Sequence, residues 1–121
     1  MLGWKVFAAG LSVPLTACVC KDTATSVSAA GTTQGTATEL TAADSEITTV
    51  GAGAGVVLSA SLAAGDTQTV FNAGANAVKV YPTSGMKINA LSTNAAMTLA
   101  PNTGCLFKCV STTRVFAILS A

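Results

Sequence analysis

The amino-acid sequence predicts an all-β protein, a small antiparallel β-sandwich or barrel preceded by an extended N-terminal arm. Three observations carry that expectation. From Thr36 onward, short β-branched and apolar runs recur between polar turns at strand-like spacing. Gly and Pro punctuate those runs, and no segment keeps a helical period for more than two turns. The first 35 residues share neither pattern. A chain of 121 residues suits one domain. The expected organisation is an arm and linker over 1–35 and a β domain over 36–121.

The arm begins MLGWKVFAAGLSVPLTACVCKD. Lys5, an apolar stretch and then Leu15-Thr16-Ala17-Cys18 resemble a bacterial lipoprotein signal, in which the cysteine is lipidated. The other reading, and the favoured one, is an uncleaved apolar arm that packs on neighbouring subunits. From Thr23 to Gly35 the residues are small and polar with nothing large to bury, which reads as a linker or extended strap.

The expected strands follow in order. Glu46–Val50 is β-branched and runs into the Gly51–Gly55 stretch, too rich in glycine for a helix. Val56–Leu58 is a short apolar run. Ser59–Ala64 is alanine-rich but shorter than two turns and meets Gly65, so it reads as a loop or single turn. Thr67–Asn72 alternates, with Val70 on one face and Thr67, Thr69 and Phe71 on the other. Ala77–Tyr81 is the clearest half-buried strand, stopped by Pro82, which has no N–H for a ladder. Lys87–Asn89, Met97–Leu99, Leu106–Val110 and Val115–Leu119 complete the series. Phe116-Ala117-Ile118-Leu119 is apolar on both faces, which suits a buried strand or a subunit interface.

Composition points to self-association. Half of the residues are apolar, only 9% are charged and the formal net charge is +1, where a soluble domain carries about a quarter charged residues. Much of the apolar share is alanine, so the β domain has few large side chains to bury and gains from burial between copies. No run reaches the roughly 18 apolar residues that a spanning helix needs. The cations Lys5, Lys21, Lys79, Lys87, Lys108 and Arg114 are scattered singly, which speaks against direct nucleic-acid binding.

The stretch from Asn72-Ala73-Gly74-Ala75-Asn76-Ala77 through Val78-Lys79-Val80-Tyr81-Pro82 carries a resemblance, together with Gly85, Ile88-Asn89-Ala90-Leu91 and the Thr/Ala/Gly-rich lead-in from Ala29 to Leu40. Over roughly residues 29–121 the chain resembles small virion accessory proteins of tailed bacteriophages, of the head-fibre, decoration or cement type. That resemblance implies a structural protein of the virion, assembled in the host cytoplasm. It also implies a homotrimer in contact with other virion proteins such as the major capsid protein. Read as chemistry, Asn72 and Asn76 flank Gly74 in an expected hairpin turn, where Asn and Gly tolerate positive φ.

Catalytic constellations are sparse. There is no histidine, which removes Ser-His and Cys-His nucleophiles and the commonest general base. Of the acids, only Asp44 and Glu46 share a strand face, and a solvated strand entry accounts for them better than a cation site or an acid/base pair. Gly51–Gly55 lacks the lysine and helix of a phosphate loop. No enzyme, cofactor or catalytic residue is expected. The four cysteines, Cys18, Cys20, Cys105 and Cys109, are open to three readings. They are buried free thiols, or one of the first pair is disulfide-bonded to one of the second, or all four hold a zinc ion, though structural zinc favours tighter spacing.

Overall fold

The computed structural model describes residues 23–120; the expected apolar arm, with Cys18 and Cys20, lies outside the described residues. Ten strands form two sheets, and no helix occurs among the described residues. The strands are β1 (Thr23–Ser28), β2 (Thr38–Glu39), β3 (Asp44–Thr49), β4 (Gly55–Val57) and β5 (Thr67–Asn72). They continue as β6 (Val78–Tyr81), β7 (Lys87–Ile88), β8 (Met97–Leu99), β9 (Thr103–Cys109) and β10 (Arg114–Leu119). The six-stranded sheet has the order β1-β3-β5-β9-β10-β7, and the four-stranded sheet the order β2-β4-β6-β8.

The all-β expectation holds, but the antiparallel one does not. Five of the eight strand pairings run parallel. The first six strands alternate between the sheets, so consecutive strands do not pair with each other. Each turn of chain instead stacks on the one before, β1∥β3∥β5 in one sheet and β2∥β4∥β6 in the other, as in a solenoid. The short polar linkers that read as hairpin turns are corners between two sheets. A parallel pair needs a long crossover, and here the intervening strand of the other sheet supplies it. The later strands close the stack: β8 runs antiparallel to β6, and the β9–β10 hairpin inserts between β5 and β7.

The segment read as a linker contains an edge strand. β1 is parallel to β3, with Thr23 opposite Asp44 and Ser28 opposite Thr49, and its register shifts between Ala24 and Val27, around Ser26 at φ 60°. Backbone pairing and the packing of Val27 on the core hold it in place. Small polar side chains give no sequence signal for either.

One apolar cluster draws on both sheets. Ile47, Val70, Cys105, Phe107, Cys109 and Val115 come from the larger sheet, and Val56, Val78, Val80 and Leu99 from the smaller. Two buried amides pin the ends of β5 within it. Gln68 donates to the carbonyls of Leu40 (2.7 Å) and Ala42 (3.0 Å) and accepts from Ser59 N (3.0 Å). Asn72 donates to the carbonyls of Asn76 and Leu99, both at 2.9 Å, and accepts from Gly74 N at 2.9 Å. The corners of a solenoid leave backbone groups without ladder partners, and buried groups of that kind must find others. These two side chains satisfy six of them.

The motif Asn72–Pro82 is therefore a corner clamp and not a hairpin turn. None of Asn72, Gly74 and Asn76 has positive φ. Gly74 is needed for space, since a Cβ there would stand 2.7 Å from Val50 Cγ2. Asn76 Nδ2 reaches across the corner to the Val50 carbonyl at 2.8 Å. The related Asn89 does adopt the left-handed region, at φ 52°, and its Oδ1 accepts from Ala117 N at 2.9 Å.

Candidate interaction surface

Strand alternation gives the six-stranded sheet two faces. On β3, Ser45 and Ile47 are buried while Asp44 and Glu46 point outward. On β5, Gln68, Val70 and Asn72 are buried, and Thr67, Thr69 and Phe71 point out, as the sequence alternation predicts. On β9 the inner residues are Cys105, Phe107 and Cys109, leaving Leu106 and Lys108 outside. On β10, Val115 is inward and Arg114, Phe116 and Ile118 are outward.

Register brings the outward apolar residues together. Thr69 pairs with Leu106, and Leu106 with Ile118. Phe71 pairs with Gly104, whose added Cβ would lie 2.7 Å from the Phe71 ring, so the ring lies over the bare glycine backbone. Phe116 pairs with Lys108, and the Arg114 guanidinium sits 5.6 Å from the Phe116 ring centre, a cation–π contact. Phe71, Phe116 and Ile118 are 47%, 43% and 63% exposed. Single exposed apolar side chains are ordinary, but a contiguous group on one sheet face makes a candidate interaction surface.

Of the expected site residues, Cys105 and Cys109 are free and buried against the core, and Cys18 and Cys20 lie outside the described residues. Four positions apart on one strand, Cys105 and Cys109 are separated by about 13 Å, beyond the reach of a disulfide with each other. Burial pushes the Cys105 thiol up from 9.0 to about 11, partly offset by a hydrogen bond with the Ile118 backbone. Cys109 Sγ donates to the Ser111 carbonyl at 3.2 Å. Among the described residues, no three His, Cys, Asp or Glu side chains gather as a metal site would require. Asp44 and Glu46 do share the outer face of β3.

An open groove of about 490 Å³ is lined by Thr41–Ala43, Ser59, Ser61, Leu62 and Gly65–Gln68. Its one carboxylate, Asp66, accepts from Ala63 N at 2.9 Å and so caps a turn. It has neither a nucleophile beside a base nor convergent charges.

The chain matches no family model, no curated protein and no solved structure. The sequence contained part of the outer surface: Phe71 falls opposite Val70, and Phe116–Leu119 is apolar on both faces. What it did not contain is the register that sets Phe71, Leu106 and Ile118 on neighbouring strands.

Proposed function

We propose that this chain is a structural protein of a bacteriophage virion, a capsid decoration, cement or head-fibre component. In this reading it attaches through its N-terminal arm and oligomerises through its β domain, three copies together, against virion proteins such as the major capsid protein. It works as a small sandwich-like building block and performs no catalysis. The observation that carries the reading is the Asn72–Pro82 stretch with Ile88-Asn89-Ala90-Leu91, which resembles that class of protein. The outward apolar group on β5, β9 and β10 supports a protein that works by contact. The lack of histidine and the low charge support the same reading.

The test is attachment. Full-length protein and a version lacking residues 1–22 are incubated with particles that lack it, and occupancy is read by electron microscopy with a labelled antibody. The full chain decorates and the truncated chain, still folded, does not. Full occupancy by the truncated chain removes the arm as the anchor, and no binding by either removes the virion reading.

A second reading rests on Leu15-Thr16-Ala17-Cys18: a bacterial envelope lipoprotein, anchored through Cys18, that acts as a binding or adhesive module. Mass spectrometry of the N-terminus separates the two. An intact arm fits the first, and a lipid on Cys18 as the first residue fits the second.

A further inference from the structure

The outer face of the six-stranded sheet is ordered in charge as well as apolar. Eight charged side chains fall among the described residues, and five of them, Asp44, Glu46, Lys87, Lys108 and Arg114, lie on this one face. They are sorted by sign. Asp44 and Glu46 are on β3, while Lys108 is on β9, Arg114 on β10 and Lys87 on the edge strand β7, paired with Arg114. From β3 to β10 is three strand steps, or about 14 Å. The register sorts them along the strands too. Asp44 is level with Thr69, Leu106 and Ile118, and Glu46 is one pleat further in one direction, level with Phe71 and Gly104. Lys108 is one pleat away in the other direction, level with Thr67 and Phe116, and Arg114 lies beyond it. The acids thus occupy one corner of the face and the cations the opposite corner. Phe71, Leu106, Phe116 and Ile118 fill the band between them.

We infer that the occupant of this face is a second copy of the same chain, docked with the acidic corner of one copy against the cationic corner of the other. The inference rests on the self-assembling reading above and adds to it the surface and the sense of the contact. Charge layout selects the partner. A purely acidic or purely basic macromolecule would be attracted to one corner and repelled by the other, whereas a second copy offers both signs at the same spacing. Opposite corners also allow the same contact to repeat from copy to copy until an assembly closes. The apolar band supplies the desolvated centre that an interface needs, with an aromatic residue at each side and charges around it. The sorted charges fix the orientation and suppress wrong pairings more than they add affinity.

The test uses the full chain and two charge-reversed variants, one Asp44→Lys with Glu46→Lys, the other Lys87→Glu, Lys108→Glu and Arg114→Glu. Circular dichroism confirms their folds, and sedimentation velocity at low salt reads their assembly. Each variant alone presents one sign at both corners, and its assembly requires at least about tenfold more protein than the wild type needs. Mixed in equal amounts, the two variants assemble at a lower protein concentration than either needs alone, because in a mixed ring of three two of the three junctions again join opposite signs. If both variants assemble alone as tightly as the wild type, or if mixing restores nothing, this face is not the interface and the inference fails. In both cases the wild type in the same run still reports self-assembly, so a wild-type monomer, by contrast, overturns the underlying reading itself. Should a reversed chain fail to fold, Ile118→Asp decides: its exposed position tolerates the change, and undiminished assembly of that variant overturns the inference.

Discussion

The inner face of the six-stranded sheet carries Ile47, Val70, Phe107 and Val115, all fully buried, and the outer face of the same strands carries Glu46, Phe71, Lys108 and Phe116, all exposed. On β3 the contrast is the ordinary one for a half-buried sheet, apolar inward and polar outward. On β10 it breaks down, because Phe116 and Ile118 are as apolar as Val115 and yet face away from the core. The same backbone thus buries one side in the core and, in the proposed reading, offers the other for contact. A local rule broken without a gain for the fold is where function is expected to sit.

The largest effect that can sharpen this comparison is a pair of phenylalanine truncations. Phe107→Ala removes a fully buried ring from the cluster and costs about 3–5 kcal/mol of folding stability. Phe116→Ala removes an exposed one and changes the stability of the separated subunit by no more than about 0.5 kcal/mol. Urea denaturation at high dilution compares the two, and equal losses would erase the distinction between the faces.

Next comes the corner clamp. Asn72→Ala leaves Gly74 N and the carbonyls of Asn76 and Leu99 without their partner. Unmet buried groups of this kind cost about 1–3 kcal/mol each, reduced where water enters, so a loss of about 2–4 kcal/mol is expected, read as a lower denaturation midpoint. A change confined to the outer face, such as Thr69→Ala, moves that midpoint little. Smaller still is Gly74→Ala, whose Cβ must displace the Val50 side chain at 2.7 Å and costs about 1–3 kcal/mol. A neutral outcome would show that the corner is looser than the contacts imply.

The smallest effect is in pH. The Cys105 thiol is raised in the folded state, to about 11 from 9.0, because burial penalises the thiolate. Its contribution to stability is complete below the unfolded value and is lost as pH rises from about 9 toward 11. A Cys105→Ala variant should show a shallower decline over that window. The same burial makes native Cys105 and Cys109 slow toward thiol reagents until the protein is unfolded.

Much of this architecture was legible residue by residue. The strand at Thr67–Asn72 and the outward turn of Phe71 follow from period-two alternation alone. The stop at Pro82 follows from its missing donor. Pairing was not legible. Short glycine-bearing linkers such as Val50–Ala54 read alike whether they reverse a hairpin or carry the chain across to an opposing sheet, and only the second occurs here. β1 escaped notice because Thr23–Ser28 has one side chain, Val27, that packs on the core, and its hold comes from backbone bonds. The outer surface was legible as apolar residues on β5 and β10 but not as one patch, since that depends on β9 lying between them. The sorted charges depend on the same register.

The outer face exists as a contact surface only if copies of the chain meet. Sedimentation velocity of the full wild-type chain, followed through dilution across the micromolar range, tests this most directly. A multimer at micromolar concentration that dissociates on dilution is the expected result. A well-folded monomer at every concentration, with Phe71, Phe116 and Ile118 left in water, would contradict it.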